Sequence, residues 1–158
     1  MMGSDITPWL HIVLHEPEIA ENTGNIGRTC TALGAKLWLV RPLGFRMEER
    51  RRRRAGLDYW QHLAWQAVDN WSALLAQLPE SRLWFFTKHA SREYTDAAFA
   101  PGDGLVFGGE SRGLPAAMIE SHADRCLRIP MNAEVRSLNL AVSVAVAAYE
   151  ARRQSVAM

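Results

Sequence analysis

Ile129-Pro130-Met131-Asn132-Ala133-Glu134-Val135-Arg136-Ser137-Leu138-Asn139-Leu140 is the stretch that decides how this chain folds. It leaves an apolar run, Cys126-Leu127-Arg128-Ile129, passes through turn formers and polar groups, and enters a long helical pattern. Two earlier stretches have the same make-up. Asn22-Thr23-Gly24-Asn25-Ile26-Gly27-Arg28-Thr29-Cys30 comes after Leu10-His11-Ile12-Val13-Leu14, and Phe107-Gly108-Gly109-Glu110-Ser111-Arg112-Gly113-Leu114-Pro115 continues Leu105-Val106. Open α/β sheets build ligand sites from loops at the carboxyl ends of their strands. Three such loops in 158 residues point to one composite site.

Outward from these loops, Lys36-Leu37-Trp38-Leu39-Val40 and Leu83-Trp84-Phe85-Phe86-Thr87 read as further strands, with a weaker one between Leu63 and Val68. Asn22 or Thr23 is placed to cap a helix that runs through Arg28 to Leu33 and is ended by Gly34. Asp69 or Asn70 caps a second, with Trp71, Leu74, Leu75 and Leu78 at helical spacing and Pro79 as its stop. A short helix follows Pro115. The last helix is expected from Ser137 to Arg153, where Leu138, Leu140, Val142, Val144, Val146 and Tyr149 cover most of its circumference. A helix apolar nearly all round needs a cover, and a second subunit supplies one. The alternation of strands and helices gives the class: α/β, a mostly parallel sheet flanked by helices. One domain spans 10–153, with 1–9 an extension and 154–158 a tail.

Composition bounds the function. Hydrophobic residues at 48% and charged residues at 22% describe an ordinary globule, and no apolar run approaches the roughly 20 residues of a membrane span. Met1 to Pro8 lack the basic and apolar regions of a secretory signal. Cys30 and Cys126 have no CxxC spacing, which suits free thiols in a reducing cytoplasm. The net charge of +1 hides five consecutive arginines, Arg50, Arg51, Arg52, Arg53 and Arg54. Of the 18 basic side chains only Lys36 and Lys88 are lysines. Guanidinium pairs two-pronged with phosphate where an ammonium acts as a point charge. The run reads either as a phosphate-binding strip or as a solvated face.

Several chemistries have no footing here. There is no GxxxxGK[ST], no GxGxxG with a later acidic residue, and no GxSxG around Ser111. His11, His15, His62, His89 and His122 lack ligand spacing, so no metal is expected. What remains is a site of backbone groups, small residues and arginine, in which Gly108 and Gly109 either permit close approach of a ligand to the main chain or only make a turn.

Taken in order and spacing, NTGNIGRTC, FGGESRGLP and IPMNAEVRSLNLAVSVAVAAYE resemble the three motifs of the SPOUT class of S-adenosylmethionine-dependent RNA methyltransferases. HIVLHEPEIAENTGNIGRTC and RRAGLDYW extend the likeness to the small tRNA 2′-O-methyltransferases of the TrmL (YibK) type, which act at the wobble nucleotide. The resemblance covers residues 10 to 153. It implies a trefoil knot in the carboxyl third, an exception to the rule against knots, and a homodimer through the last helix. It also implies that Phe86, Thr87, Gly108, Ile129, Met131, Ser137 and Leu138 line the donor pocket. Thr87-Lys88-His89-Ala90-Ser91 departs from the family in lacking a glycine.

The same resemblance gives Arg28, Asn25 and Glu110 the catalytic roles. Arg28 is commonly assigned to activating the ribose hydroxyl. A guanidinium rarely yields its proton, so phosphate clamp or hydroxyl orienter competes with base. Glu110 positions Arg28 or a backbone group of the donor loop, and Asn25 contacts substrate. Tyr149 either stacks on the target base near the partner's site or only packs. Asn139, read as interior to a buried helix, needs a partner within the chain or across the dimer. The Arg50–Arg54 run suits an anticodon stem-loop. Other substrates, ribosomal RNA or another tRNA position, and a non-catalytic RNA-binding protein on the same fold, are the rival readings.

Overall fold

The computed structural model describes residues 7–47 and 58–156. The Arg50–Arg54 run lies outside them. Six strands form one sheet: β1 (Leu10–His15), β2 (Lys36–Val40), β3 (Trp65–Val68), β4 (Leu83–Phe86), β5 (Asp103–Gly108) and β6 (Cys126–Leu127). Their order is β3-β2-β1-β5-β4-β6 and every neighbouring pair is parallel. The chain builds outward from β1 to β3, then resumes on the other side, where β5 fills the place between β1 and β4. The strand order reverses at β1 and β5, and a crevice opens there at the carboxyl edge.

Side chains alternate along β1, and the alternation divides the core. Leu10, Ile12 and Leu14 meet Ile26 and Cys30 of α1 (Ala20–Leu33) and Val144, Ala147, Ala148 and Ala151 of α4 (Leu140–Val156). Val13 points the other way, into a cluster with Trp38, Phe85 and Leu74 of α2 (Trp71–Leu75), against which Met118 and Ile119 of α3 (Ala116–Ser121) pack. Ile12 and Val13 are fully enclosed. Truncating such a side chain to Ala costs about 2–5 kcal/mol. The sheet is therefore covered on both faces, with α1 and α4 on one and α2 and α3 on the other. No helix among the described residues is long and apolar enough to cross a membrane.

Two helix starts differ from the sequence expectation. α1 begins at Ala20, before Asn22 and Thr23, and its N-cap Ile19 has no capping side chain. A carboxylate from the loop after β5 instead takes up the N–H groups of Glu18 and Ile19, just ahead of the helix. α4 begins at Leu140 rather than Ser137, because the Asn139 side-chain oxygen accepts from Val142 N–H at 3.2 Å and caps it. Asn139 is thus the cap of that helix and is not interior to it. Gly34 does close α1, at φ 69°, its N–H donating to Cys30 and Thr31 carbonyls. Asn70 caps α2 by accepting from Ala73 N–H at 2.9 Å.

Candidate functional site

The segments leaving β4, β5 and β6 and the head of α1 enclose a cleft of about 410 Å3 at the carboxyl edge of the sheet. That size falls in the range of roughly 300–1,000 Å3 usual for small-molecule sites. Phe86 and Phe107 stack at 4.6 Å between ring centroids and form part of its wall. Thr87 and Gly108 lie at the ends of their strands, and Ile129, Met131, Ser137 and Leu138 come from the stretch after β6. All seven residues assigned to the donor from sequence therefore meet at one cleft.

Hydrogen bonds fasten the three loops together. The Glu110 carboxylate accepts from Glu18 N–H and Ile19 N–H, both at 2.8 Å, and from the Asn22 amide at 3.1 Å. Asn22 in turn accepts from the Asn139 amide at 3.1 Å, and Asn139 caps α4. One chain of bonds thus runs from the loop after β5, through the head of α1, to the start of the last helix. A second clasp runs in reverse, with Glu18 accepting from Ser111 N–H at 3.1 Å and from its hydroxyl at 2.7 Å. Those Ser111 bonds hold the Glu18 carboxyl below its ordinary pKa. An anion at the head of a helix also meets the favourable end of its dipole. Glu110 is therefore spent on α1's backbone and Asn22, and is not paired with Arg28.

The glycines of the second loop answer to the chain itself. Gly113 N–H donates to Gly109 carbonyl at 2.9 Å, and Gly113 sits at φ 66°. A Cβ on Gly108 would run into the Gly113 and Leu114 backbone, and one on Gly109 would meet Glu16 carbonyl at 2.7 Å. From sequence the pair suits either a turn or close approach of a ligand, and both glycines line the cleft. Folding of the loop onto its own base already demands them.

Asn25 and Arg28 lie exposed on α1 and neither lines the cleft. The Arg28 guanidinium rests 5.5 Å from the centroid of the Tyr59 ring. Tyr149 is about half exposed, at 52%, on α4. Sequence reasoning did not assign Lys88, His89 and Arg112, which also line the cleft, nor Glu18 and Ser111, which fasten it. The reciprocal pairing of two Glu-containing loops carries no local signal. Lys88 and His89 could have been found by their position directly after an inner strand.

The remaining titratable groups sit apart from this chemistry. Burial pushes the Cys30 thiol up to about 12 and raises Cys126 too, so neither is a nucleophile. Burial, with Lys36 nearby, lowers His11 to about 4, and its Nδ1 accepts from Trp38 Nε1–H at 2.9 Å. Burial also lowers His15, against the pull of the Glu16 carboxylate 3.3 Å away. Among the described residues no cluster of His, Cys, Asp or Glu is arranged to hold a metal ion.

The fold is thus an all-parallel α/β sheet with a ligand-sized cleft at the carboxyl ends of its strands. The chain belongs to the SpoU rRNA methylase family, which residues 9–149 match. It is 49% identical over 149 residues to the tRNA (cytidine(34)-2′-O)-methyltransferase of Acidovorax sp., spanning 92% of this chain and 91% of that one. A solved structure described as giving structural insights into the 2-OH methylation of C/U34 on tRNA superposes with a TM-score of 0.88. It is 46% identical and the match covers 97% of this chain and 100% of the other. An AdoMet-bound rRNA methyltransferase from Sinorhizobium meliloti is 25% identical with a TM-score of 0.78, over 94% of this chain and 59% of its own.

Proposed function

We propose that this protein methylates the ribose 2′-hydroxyl of the wobble nucleotide of tRNA, position 34, a cytidine or modified uridine, using S-adenosylmethionine. The observation that carries the reading is the convergence of three loops, distant in sequence, on one cleft and their linkage through Glu110, Asn22 and Asn139. The family fixes the reaction type. Relatives named for cytidine 34, matched over nine-tenths of both chains, support tRNA rather than ribosomal RNA as the substrate.

The cleft suits the donor: aromatic and aliphatic walls for a purine and a thioether stem, and loop backbone groups for polar edges. Phe86, Thr87, Gly108, Ile129, Met131, Ser137 and Leu138 would hold it. When bound, the donor supplies an electrophilic methyl group and its own leaving group, so neither a metal nor a covalent intermediate is required. Phe107 to Pro115 and Ile129 to Leu140 are the segments that cross in a trefoil knot. The placement of β6 outside β4, and not beside β5, supports that threading.

The chain's own residues then align the reactants, which is worth up to roughly 7–11 kcal/mol in ideal cases. Arg28, a five-donor guanidinium with no acceptor, serves as phosphate clamp or hydroxyl orienter. Asn25, on the same exposed stretch of α1, contacts the substrate. Val142 and Tyr149, both about half exposed on α4, support a homodimer through that helix, with Tyr149 near the partner's site. The Arg50–Arg54 run binds the anticodon stem-loop, and the enzyme works in the cytoplasm.

Labelled S-adenosylmethionine and unmodified tRNA provide the test, with nucleoside mass analysis of the product. We expect 2′-O-methylcytidine or 2′-O-methyluridine in the anticodon loop. Arg28→Ala should lower turnover by about 100-fold or more while leaving donor affinity intact. Transfer to ribosomal RNA alone would overturn the substrate. Donor binding with no transfer to either RNA would make the protein a non-catalytic RNA binder.

A further inference from the structure

We infer that Tyr59 is a positioning residue for Arg28, its ring face holding the guanidinium in the pose that meets the target ribose. This rests on the role proposed for Arg28. An exposed arginine samples many rotamers, and every unproductive one dilutes the aligned complex. Among the described residues no carboxylate is within ion-pair distance of Arg28, and the contact that restrains it is the Tyr59 ring at 5.5 Å. The choice of partner has a chemical reason. A carboxylate would fix the guanidinium but compete with RNA for it, whereas an aromatic face orients the group through its quadrupole and leaves the charge and its N–H donors free.

The ring is itself fixed to the helix that carries Arg28. Tyr59 hydroxyl donates to Gly24 carbonyl at 2.7 Å, one turn before Arg28 on α1. Trp60, buried beside it, lies so close to Gly27 that a Cβ there would meet its ring at 2.6 Å. Thr31 hydroxyl donates to Gly27 carbonyl at 2.9 Å, next to the Tyr59 carbonyl at 3.5 Å. The 3-10 turn Asp58–His62 is thus pinned along α1 at two successive aromatics. In sequence that turn begins four residues after Arg54, so the platform for Arg28 and the arginine run proposed to meet phosphate lie close along the chain.

Substitutions at position 59 test the inference in full-length protein, with kcat, KM for tRNA, donor affinity and thermal melting all measured. Tyr59→Leu should lower kcat about 5- to 20-fold with KM and donor affinity within about twofold. Tyr59→Phe, which keeps the ring, should recover turnover to within about threefold of the parent. Should the leucine variant fail to fold, mono- to pentafluorophenylalanine at position 59 keeps the shape while draining the negative face of the ring. The expected result is a stepwise fall in kcat at constant melting temperature, abolished in an Arg28→Ala background. A flat series with Arg28→Ala inactive overturns the Tyr59 role and leaves the function standing. Full turnover by Arg28→Ala overturns the role of Arg28 and, with it, that of Tyr59.

Discussion

Helices α1 and α4 pack together on one face of the sheet, and each departs from the usual surface-helix pattern in the opposite sense. α1 buries polar groups, with Asn22 at 8% exposure and Thr23 fully enclosed. α4 buries only Val144, Ala147, Ala148 and Ala151 and leaves Val142 and Tyr149 at 49% and 52%. The difference follows from what each helix is attached to. The head of α1 is fastened to two loops of the cleft, so the Asn22 amide has partners inside. Among the described residues nothing covers the outer face of α4 at Val142 and Tyr149, and these apolar side chains stay half exposed. Burial here reports connection, not propensity.

Loss of the clasp at the head of α1 should have the largest effect on stability. Glu110→Ala strips acceptors from two backbone N–H groups and from the buried Asn22 amide. The cost is about 3 kcal/mol. For a chain of this size that lowers the melting temperature by roughly 6–12 °C in calorimetry, and donor binding should weaken with it. An unchanged melting point would show that α1 does not depend on its distant cap.

On α4 the expected outcome is the reverse, a change of assembly without a change of fold. For the homodimer proposed through this helix, Val142→Asp combined with Tyr149→Ser should give monomer by light scattering and abolish transfer. Its stability cost as a monomer should stay near ~0.5 kcal/mol per site, as for ordinary surface positions. A dimer that survives both changes would place the interface elsewhere.

A smaller effect tests the opposite face of the sheet, away from both helices. Burial lowers His11 to about 4 in the folded chain, while its ordinary value is 6.5. As pH falls from 6.5 toward 4, the unfolded chain takes up a proton there that the folded chain refuses. Stability is therefore complete above that window and declines through it, by up to about 1.4 kcal/mol per pH unit. Urea midpoints across this range should decline less steeply in His11→Gln.

The smallest effect sharpens the contrast within α1 itself. Asn22 and Thr23 are neighbours, yet the Thr23 hydroxyl is buried with no hydrogen-bond partner. Thr23→Val keeps the shape and removes the stranded group, so it should stabilise the protein by about 1 kcal/mol. A destabilisation of that size in thermal melts would mean that the hydroxyl is paired after all.

The legible parts of this molecule are those whose causes are local. Leu83 to Phe86 read as an inner strand because nothing polar interrupts them, and Gly34 read as a helix end because it alone tolerates φ 69°. Phe86, Thr87, Gly108, Ile129, Met131, Ser137 and Leu138 do lie together, but the stretch from Asn22 to Cys30, expected as a third loop, lies within α1 and brings only Asn22 to the cleft. The helix starts were not legible. Asn22 looks like a cap, but its side chain is drawn away by Glu110 and Asn139, at sequence separations of 88 and 117. The glycine pair at 108 and 109 was legible as a turn, while the loop's folding onto its own base, against Gly113 and Leu114, leaves no local mark. Glu18 and Ser111 were invisible because their partners lie 93 residues apart.

The reach of that carboxylate also sets an order on synthesis. Ile19 N–H and the Glu110 side chain that accepts from it are 91 residues apart. At about 5–20 residues per second, the head of α1 emerges from the ribosome roughly 5–18 seconds before its cap exists. Through that interval water must serve the Glu18 and Ile19 N–H groups, and the approach to the helix is not yet pinned. A nascent chain halted before residue 110 therefore holds β1, α1 and β2 but has no assembled cleft, which makes donor binding a late marker of completed folding.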